Sequence, residues 1–394
     1  MRLIGRPRDR PPARARRAAR DAVVRGALAL RAPALSVLAG RAPGPAERAA
    51  LGQSADAWRL FLAAECCALP LAGALRRAGT WDALAPAARD AADAAAAREL
   101  QRVLAGRAAL AELDGVAAAL GIAPVVLKGG AALADGTPLD LGDLDLLVGG
   151  DAAVALAAVL AARGYEPAPA GGALARPGGI PVELHTHVVY SGAGPATAPL
   201  AGCRALRRLD GAPAVLLLLR HSVVHHPFRR GHLRDLVLIA HALGRCPPDA
   251  AEAVARACDA DPAGPELADT LALARALHAG APAADPPAVR RAAAHKYLLA
   301  LGTWRRAVRL APRWPDLLCA ALDRPAVRHA PLRDALASQT LDDPRWAFPA
   351  IARHAPRLAT SLGRAARVPY RTALVLCALG AGPFARRRVA RLAG

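Results

Sequence analysis

Between residues 121 and 190 the chain stops reading as helix, and that change of texture constrains its fold more than any other feature. Upstream, Trp58, Phe61 and Leu62 repeat at helical spacing, as do Leu69, Leu71 and Leu75. Ala85–Leu113 is an Ala-rich run with interleaved charges, suited to a long helix lying on a core. At Gly121 short apolar runs closed by glycines take over: APVVLKGG, ending on Gly129 and Gly130, then LGDLDLLVGG, closed by Gly149 and Gly150. Asp151 is placed to cap the helix AAVALAAVLAARG and Gly164 to end it. After a turn at Pro177–Gly179, PGGIPVELHTHVV reads as a further strand. Strand, short helix, strand, helix, turn, strand is an α/β unit.

After about residue 205 the helical texture returns. The run VLLLLRHSVVHHPFRRGHLRDLVLIAHAL predicts two helices joined by a turn at Pro227–Gly231. The expected fold class is therefore α/β, a small mixed sheet flanked by mostly helical N- and C-terminal regions. The expected divisions are a basic, poorly ordered tail over 1–45, helices over 46–120 and the α/β core over 121–204. A helical region over 205–280 packs on that core, and a helical C-terminal region over 281–394 ends in a basic stretch.

Composition sharpens the reading of single residues. Of 52 basic residues only Lys128 and Lys296 are lysines, and Asn is absent, as expected of GC-rich coding. Arg is then partly a coding habit, and a retained Lys is more informative. The net charge of +20 sits mainly at the ends: residues 1–45 carry +9 and residues 364–394 carry +7, leaving about +4 for the rest. Basic ends of this kind can contact polyanions. Seven scattered Cys without a CxxC pair read as reduced thiols of a cytoplasmic protein. The N-terminal stretch lacks the uninterrupted apolar core of a signal peptide. TALVLCALGAG is well short of the ~20 residues a membrane span needs, so no transmembrane segment is expected.

The chemistry-bearing residues gather in the α/β unit. Successive side chains of a strand alternate faces, so in DLDLLV Asp143 and Asp145 share one face while Leu144, Leu146 and Val148 take the other. Paired carboxylates repel unless a cation lies between them, and oxygen ligands suit Mg²⁺, which shares itself with substrate phosphates. Glu183 in PVELHTH has the same parity relative to its apolar neighbours and joins the cluster if the strands are adjacent. Gly129 and Gly130 stand where a helix could begin and where backbone N–H groups could approach a phosphate.

A strand ending in a glycine pair, about a dozen residues, Asp-x-Asp in an apolar strand and a lone acid in a later strand resembles the polymerase-beta-like nucleotidyltransferase superfamily. The wording LKGGAAL…DLDLLV…VELH is similar to one uncharacterised bacterial nucleotidyltransferase family, and the likeness covers roughly residues 60–245. It implies a nucleotidyltransferase core, with Asp143, Asp145 and Glu183 as catalytic residues and ligands of Mg²⁺ or Mn²⁺. Lys128, Gly129 and Gly130 would hold the triphosphate of an NTP, with His185 lining the nucleotide pocket. The acceptor of the transferred NMP is left open: a small molecule, a peptide or protein, or RNA. The chain departs from the family in carrying Leu139, beside Asp140, where members usually carry Arg. Two rival readings stand: a non-catalytic nucleotide-binding or interaction module with the same fold, and a zinc-dependent hydrolase using the His-rich segment. That segment holds seven of the eleven histidines between His185 and His241, with His221 and His225 one helical turn apart, but it lacks the Glu of HExxH.

Overall fold

The computed structural model describes residues 13–168, 173–187, 196–226, 229–261, 263–302 and 387–393. Helices come first: α1 (Ala13–Ala29), α2 (Arg31–Leu38), α3 (Pro45–Leu51), α4 (Ala55–Glu65), α5 (Ala68–Arg77) and α6 (Pro86–Leu120). The middle of the chain is β1 (Val125–Val126), α7 (Lys128–Ala134), β2 (Leu144–Leu147), α8 (Gly150–Ala162), β3 (Glu166–Pro167), β4 (Ala173–Ala175), β5 (Val182–His185), β6 (Thr197–Pro199) and β7 (Arg207–Leu209). Then come α9 (Gly211–Arg220), α10 (Leu233–Leu243), α11 (Pro248–Asp259), α12 (Gly264–His278) and α13 (Pro287–Ala300), with 387–393 again helical. The expected C-terminal stretch TALVLCALGAG and most of 303–386 lie outside the described residues, as does the turn residue Pro227.

The class is α/β. The strands form one seven-stranded mixed sheet in the order β3-β4-β5-β2-β1-β7-β6. β2 runs parallel to β5 and β1 parallel to β7, and the remaining pairs are antiparallel. The sheet continues through β7, so the α/β unit reaches Leu209 rather than stopping at 204. Helix α8 starts two residues earlier than expected, with Gly149 in the capping position and Asp151 inside the first turn, where a negative charge still suits the helix end. Gly164 does end this segment, in the left-handed region at φ 84°.

The helical regions that the sequence separates are one body. Buried side chains of α1, α2, α4, α5, α9, α10, α12 and α13 and of 387–393 belong to one apolar cluster, and a second lies against the sheet. Helix α6 serves both. Its first half buries Ala88, Ala92, Ala95 and Ala96 in the helical core, and its second half buries Val103, Leu110, Leu113 and Val116 against the sheet. Pro86 starts it and Gly121, at φ 64°, ends it, and its 35 residues span about 52 Å at 1.5 Å each.

The expectation of a poorly ordered tail over 1–45 fails from Ala13 onward. Val24, Ala27 and Leu28 recur on one face of α1 and are buried, while its arginines are exposed. Residues 1–12 lie outside the described residues. Arg31, counted with that tail, is 1% exposed and ties the N-terminus into the core. Its Nη1 donates to Glu65 Oε1 at 2.7 Å and its Nη2 to Asp285 Oδ1 at 3.0 Å. Glu65, fully buried, also accepts from Tyr297 Oη at 2.6 Å and from the Leu233 amide at 2.8 Å, and Lys296 Nζ lies 2.7 Å away. Burial opposes ionisation of Glu65, but the charges of Lys296 and Arg31 outweigh it and hold its carboxyl well below the usual range. Next to Lys296, the His295 ring is fully buried without a hydrogen-bond partner among the described residues, and burial pushes its pKa down to about 4.

Candidate metal centre

Strand β2 positions the acids by simple alternation. Leu144 and Leu146 are fully buried, and Asp145 between them takes the opposite face at 3% exposure. Parallel pairing with β5 sets Asp145 directly beside Glu183 and Leu147 beside His185. On that face His185 Nε2 donates to Asp145 Oδ1 at 2.8 Å and lies 3.6 Å from Glu183 Oε2. Lys128 Nζ donates to the same Asp145 oxygen at 2.9 Å. Asp145, Glu183 and His185 offer ligand atoms all within 4.8 Å of one another, the one such group among the described residues.

Asp143 does not join that group. It precedes the hydrogen-bonded part of β2 and is exposed, so strand alternation no longer dictates its direction. The expected convergence of three carboxylates is thus two carboxylates and an imidazole, with Asp143 at the rim. The rim is still coupled to the centre. Partial withdrawal from water, then the charge of Asp145, push the Asp143 carboxyl above its ordinary range. Glu183 is raised likewise, by partial burial and by Asp143 and Asp145. Asp145 goes the other way: burial would raise it, but the His185 hydrogen bond and the Lys128 charge hold it below the usual range. The cluster therefore carries more negative charge than its own cations neutralise.

Lys128 is not the end of a strand but the first residue of α7, in the left-handed region at φ 51°. A side chain there costs about 1–2 kcal/mol relative to the right-handed form, and such strain gathers at functional sites. Gly129 and Gly130 have a packing reason. A Cβ on Gly129 would lie 2.5 Å from Leu141 Cδ2, and one on Gly130 would lie 2.7 Å from Val126 Cγ1 and 2.9 Å from Leu144 Cδ2. Both glycines are buried and let α7 rest directly on β1 and β2, which accounts for them without a ligand.

Leu139 is fully buried, and the acid beside it does not stand unopposed. Asp140, 6% exposed, is bridged by two nitrogens of Arg102 on α6, Nη2 at 2.7 Å from Oδ2. Arg234 on α10, bound to Asp235 at 3.2 Å, and Arg229 add positive potential at Asp143. Sequence reading missed Arg102 and Arg234. Arg234 lies in the second of the two helices expected after residue 205, whereas nothing in the sequence distinguishes Arg102 from the other arginines of its helix.

The His-rich segment crowds three rings at a distorted turn. His221–His225 is a single π-helical turn, a distortion that re-aims side chains. The His221 and His225 rings stack, and the His226 ring meets both edge-on, with centroids 4.5–5.7 Å apart. Burial, then the charges of Lys128 and His226, push His221 well below its ordinary pKa, so it is neutral and near Lys128. Among the described residues these rings form no set of three ligand atoms within reach of one ion. His187 is exposed and bonds only to its neighbour Thr186 among its described contacts. No family model, no curated protein and no solved structure matches this chain.

Proposed function

We propose that the chain is a Mg²⁺-dependent nucleotidyltransferase that moves NMP from an NTP to an acceptor and releases pyrophosphate. The observation that carries this reading is the in-register pair Asp145 and Glu183, with Lys128 over it and Asp143 at its rim. The donor set fits a divalent cation. Carboxylates pushed up by mutual repulsion are relieved by positive charge, and atoms within 4.8 Å of one another can share one ion. Asp145, Glu183 and His185 would hold it, with Asp143 completing the set; Mn²⁺ suits the imidazole equally. Bound there, the ion supplies charge stabilisation for the phosphates of the NTP.

The chain's own residues do the rest. Lys128 offers a compact cation that can turn from Asp145 to a phosphate. Asp143, at the rim, can accept a proton from an acceptor hydroxyl. A cleft of about 260 Å³ between α4 and α6, lined by Arg59, Arg98, Arg102 and Asp140, gives an anionic acceptor room. It belongs beside the centre because three residues from Asp140 to Asp143 span at most about 11 Å. No helix among the described residues is long and apolar enough to cross a membrane, and a cytoplasmic location belongs to the same reading.

The test is Mg²⁺-dependent pyrophosphate release from each of the four NTPs with a metabolite pool as acceptor. Release that Asp145→Asn abolishes supports the reading. A second reading, a non-catalytic nucleotide-binding module, draws on Lys128 and His185 both closing on one oxygen of Asp145. NTP binding by calorimetry without any release would favour it.

A further inference from the structure

The two most basic stretches of the chain meet in the structure. Arg388 Nη2 donates to Asp21 Oδ1 on α1 at 2.7 Å, and Arg17 lies 4.0 Å from the other oxygen of Asp21. Val389 and Leu392, 1% and 4% exposed, sink into the core cluster that also holds Val24 and Ala27 of α1. Five arginines of α1 and three of 387–393 thus share one region of the surface, with Asp21 as the sole acid of either segment. GC-rich coding can raise the number of arginines, but it does not gather residues nearly four hundred positions apart.

We propose that this joint face binds the phosphate backbone of double-stranded nucleic acid. Arg14, Arg17, Arg20, Arg25 and Arg391 are exposed on it. Guanidinium groups suit phosphate oxygens, and α1 extends about 25 Å at 1.5 Å per residue, enough to face several phosphates. Neither segment contains an aromatic side chain, so these two helices offer no stacking platform for splayed single-stranded bases. A bilayer fits less well. The apolar sides of both helices are already spent on the core, and the large exposed apolar residues, Leu100, Leu104 and Val154, belong to α6 and α8. Binding of this kind reads charge spacing rather than sequence and weakens steeply with salt.

The test titrates the full chain with a fluorescein-labelled 20-base-pair RNA duplex, by anisotropy, at several KCl concentrations. The triple variant Arg14→Ala, Arg17→Ala, Arg20→Ala should lower the slope of log affinity against log salt by about 3, near 0.9 per lost phosphate contact. Arg391→Ala alone should lower it by about 1, which shows that both segments contribute. The matching Arg→Lys triple should keep the slope, and unchanged thermal melts exclude unfolding. The proposal is overturned if the parent does not bind the duplex or if the Ala variants keep the parental slope. It is equally overturned if the parent binds phosphatidylserine vesicles and not the duplex.

Discussion

The chain has two lysines, and the two places that hold them are built to opposite specifications. Lys296 meets Glu65 where nothing is exposed, and Arg31, Tyr297 and the Leu233 amide complete the carboxylate's partners. Lys128 meets Asp145 at a half-open edge, where Asp143 and Glu183 add further negative charge. The first arrangement is saturated and sealed; the second is left electrostatically unfinished. A saturated cluster serves the fold, whereas an excess of one sign beside solvent serves a ligand.

The largest expected effect follows from sealing. Glu65→Ala leaves the buried Lys296 without its acid and Arg31 with Asp285 alone, and should cost about 3–5 kcal/mol in urea unfolding. Asp145→Asn, whose cation partners are partly exposed, should cost no more than about 1 kcal/mol, while abolishing transfer on the proposed reading. Sequence reasoning expects no cost at all from neutralising one of the paired acids. The structure changes that sign for Asp145, because Lys128 and His185 stabilise its charged form. Equal losses of stability in the two variants would erase the distinction between the regions.

The next effect is the pH response of the sealed region. His295 has a folded-state pKa of about 4, below its ordinary value near 6.5. It is neutral in the fold, so its contribution to stability is complete above pH 6.5. As pH falls from there toward 4, the unfolded chain takes up the proton and the fold does not. About 3 kcal/mol should be lost across that window. His295→Leu should flatten the pH dependence of the denaturation midpoint; an unchanged curve would show that other groups carry it.

Lys128 sharpens the open side. Lys128→Gly removes the left-handed strain, about 1 kcal/mol, and an ion pair worth up to about 1 kcal/mol, so stability should barely move. On the proposed reading, Mg²⁺·NTP affinity by calorimetry should fall about tenfold, near 1.4 kcal/mol, with partial recovery in Lys128→Arg. The smallest effect belongs to Glu183→Gln, which removes repulsion. Without added metal at pH 7 it should melt slightly higher than the parent, and with Mg²⁺ the order should reverse. A lower melt under both conditions would mean that Glu183 is a structural acid.

What the sequence shows of this site is what strand period can carry. Asp145, Glu183 and His185 share a face because their parity within two short strands puts them there, and parallel pairing of β2 with β5 makes the faces coincide. Asp143 has the same parity, yet periodicity does not reveal where backbone pairing begins, and it begins one residue later. The basic N-terminus hid its helix because Arg and Pro dominated the composition while only Val24, Ala27 and Leu28 carried the apolar repeat. The Glu65 cluster left no local trace: Tyr297 lies 232 residues from the acid it bonds, and such pairings follow from tertiary packing alone. Lys296 was conspicuous as a rare residue, but its partner was not.

Helix α6 makes the two cores a single mechanical object. A helix turns 100° and advances 1.5 Å per residue, and this one is anchored at both halves, by alanines in one core and by Val103, Leu110 and Leu113 in the other. One residue inserted between Glu99 and Val103 would rotate the sheet-bearing half by about 100° against the helical half. Neither apolar stripe could then face its partner while the other did. A single-residue insertion at that point should therefore destabilise both halves at once.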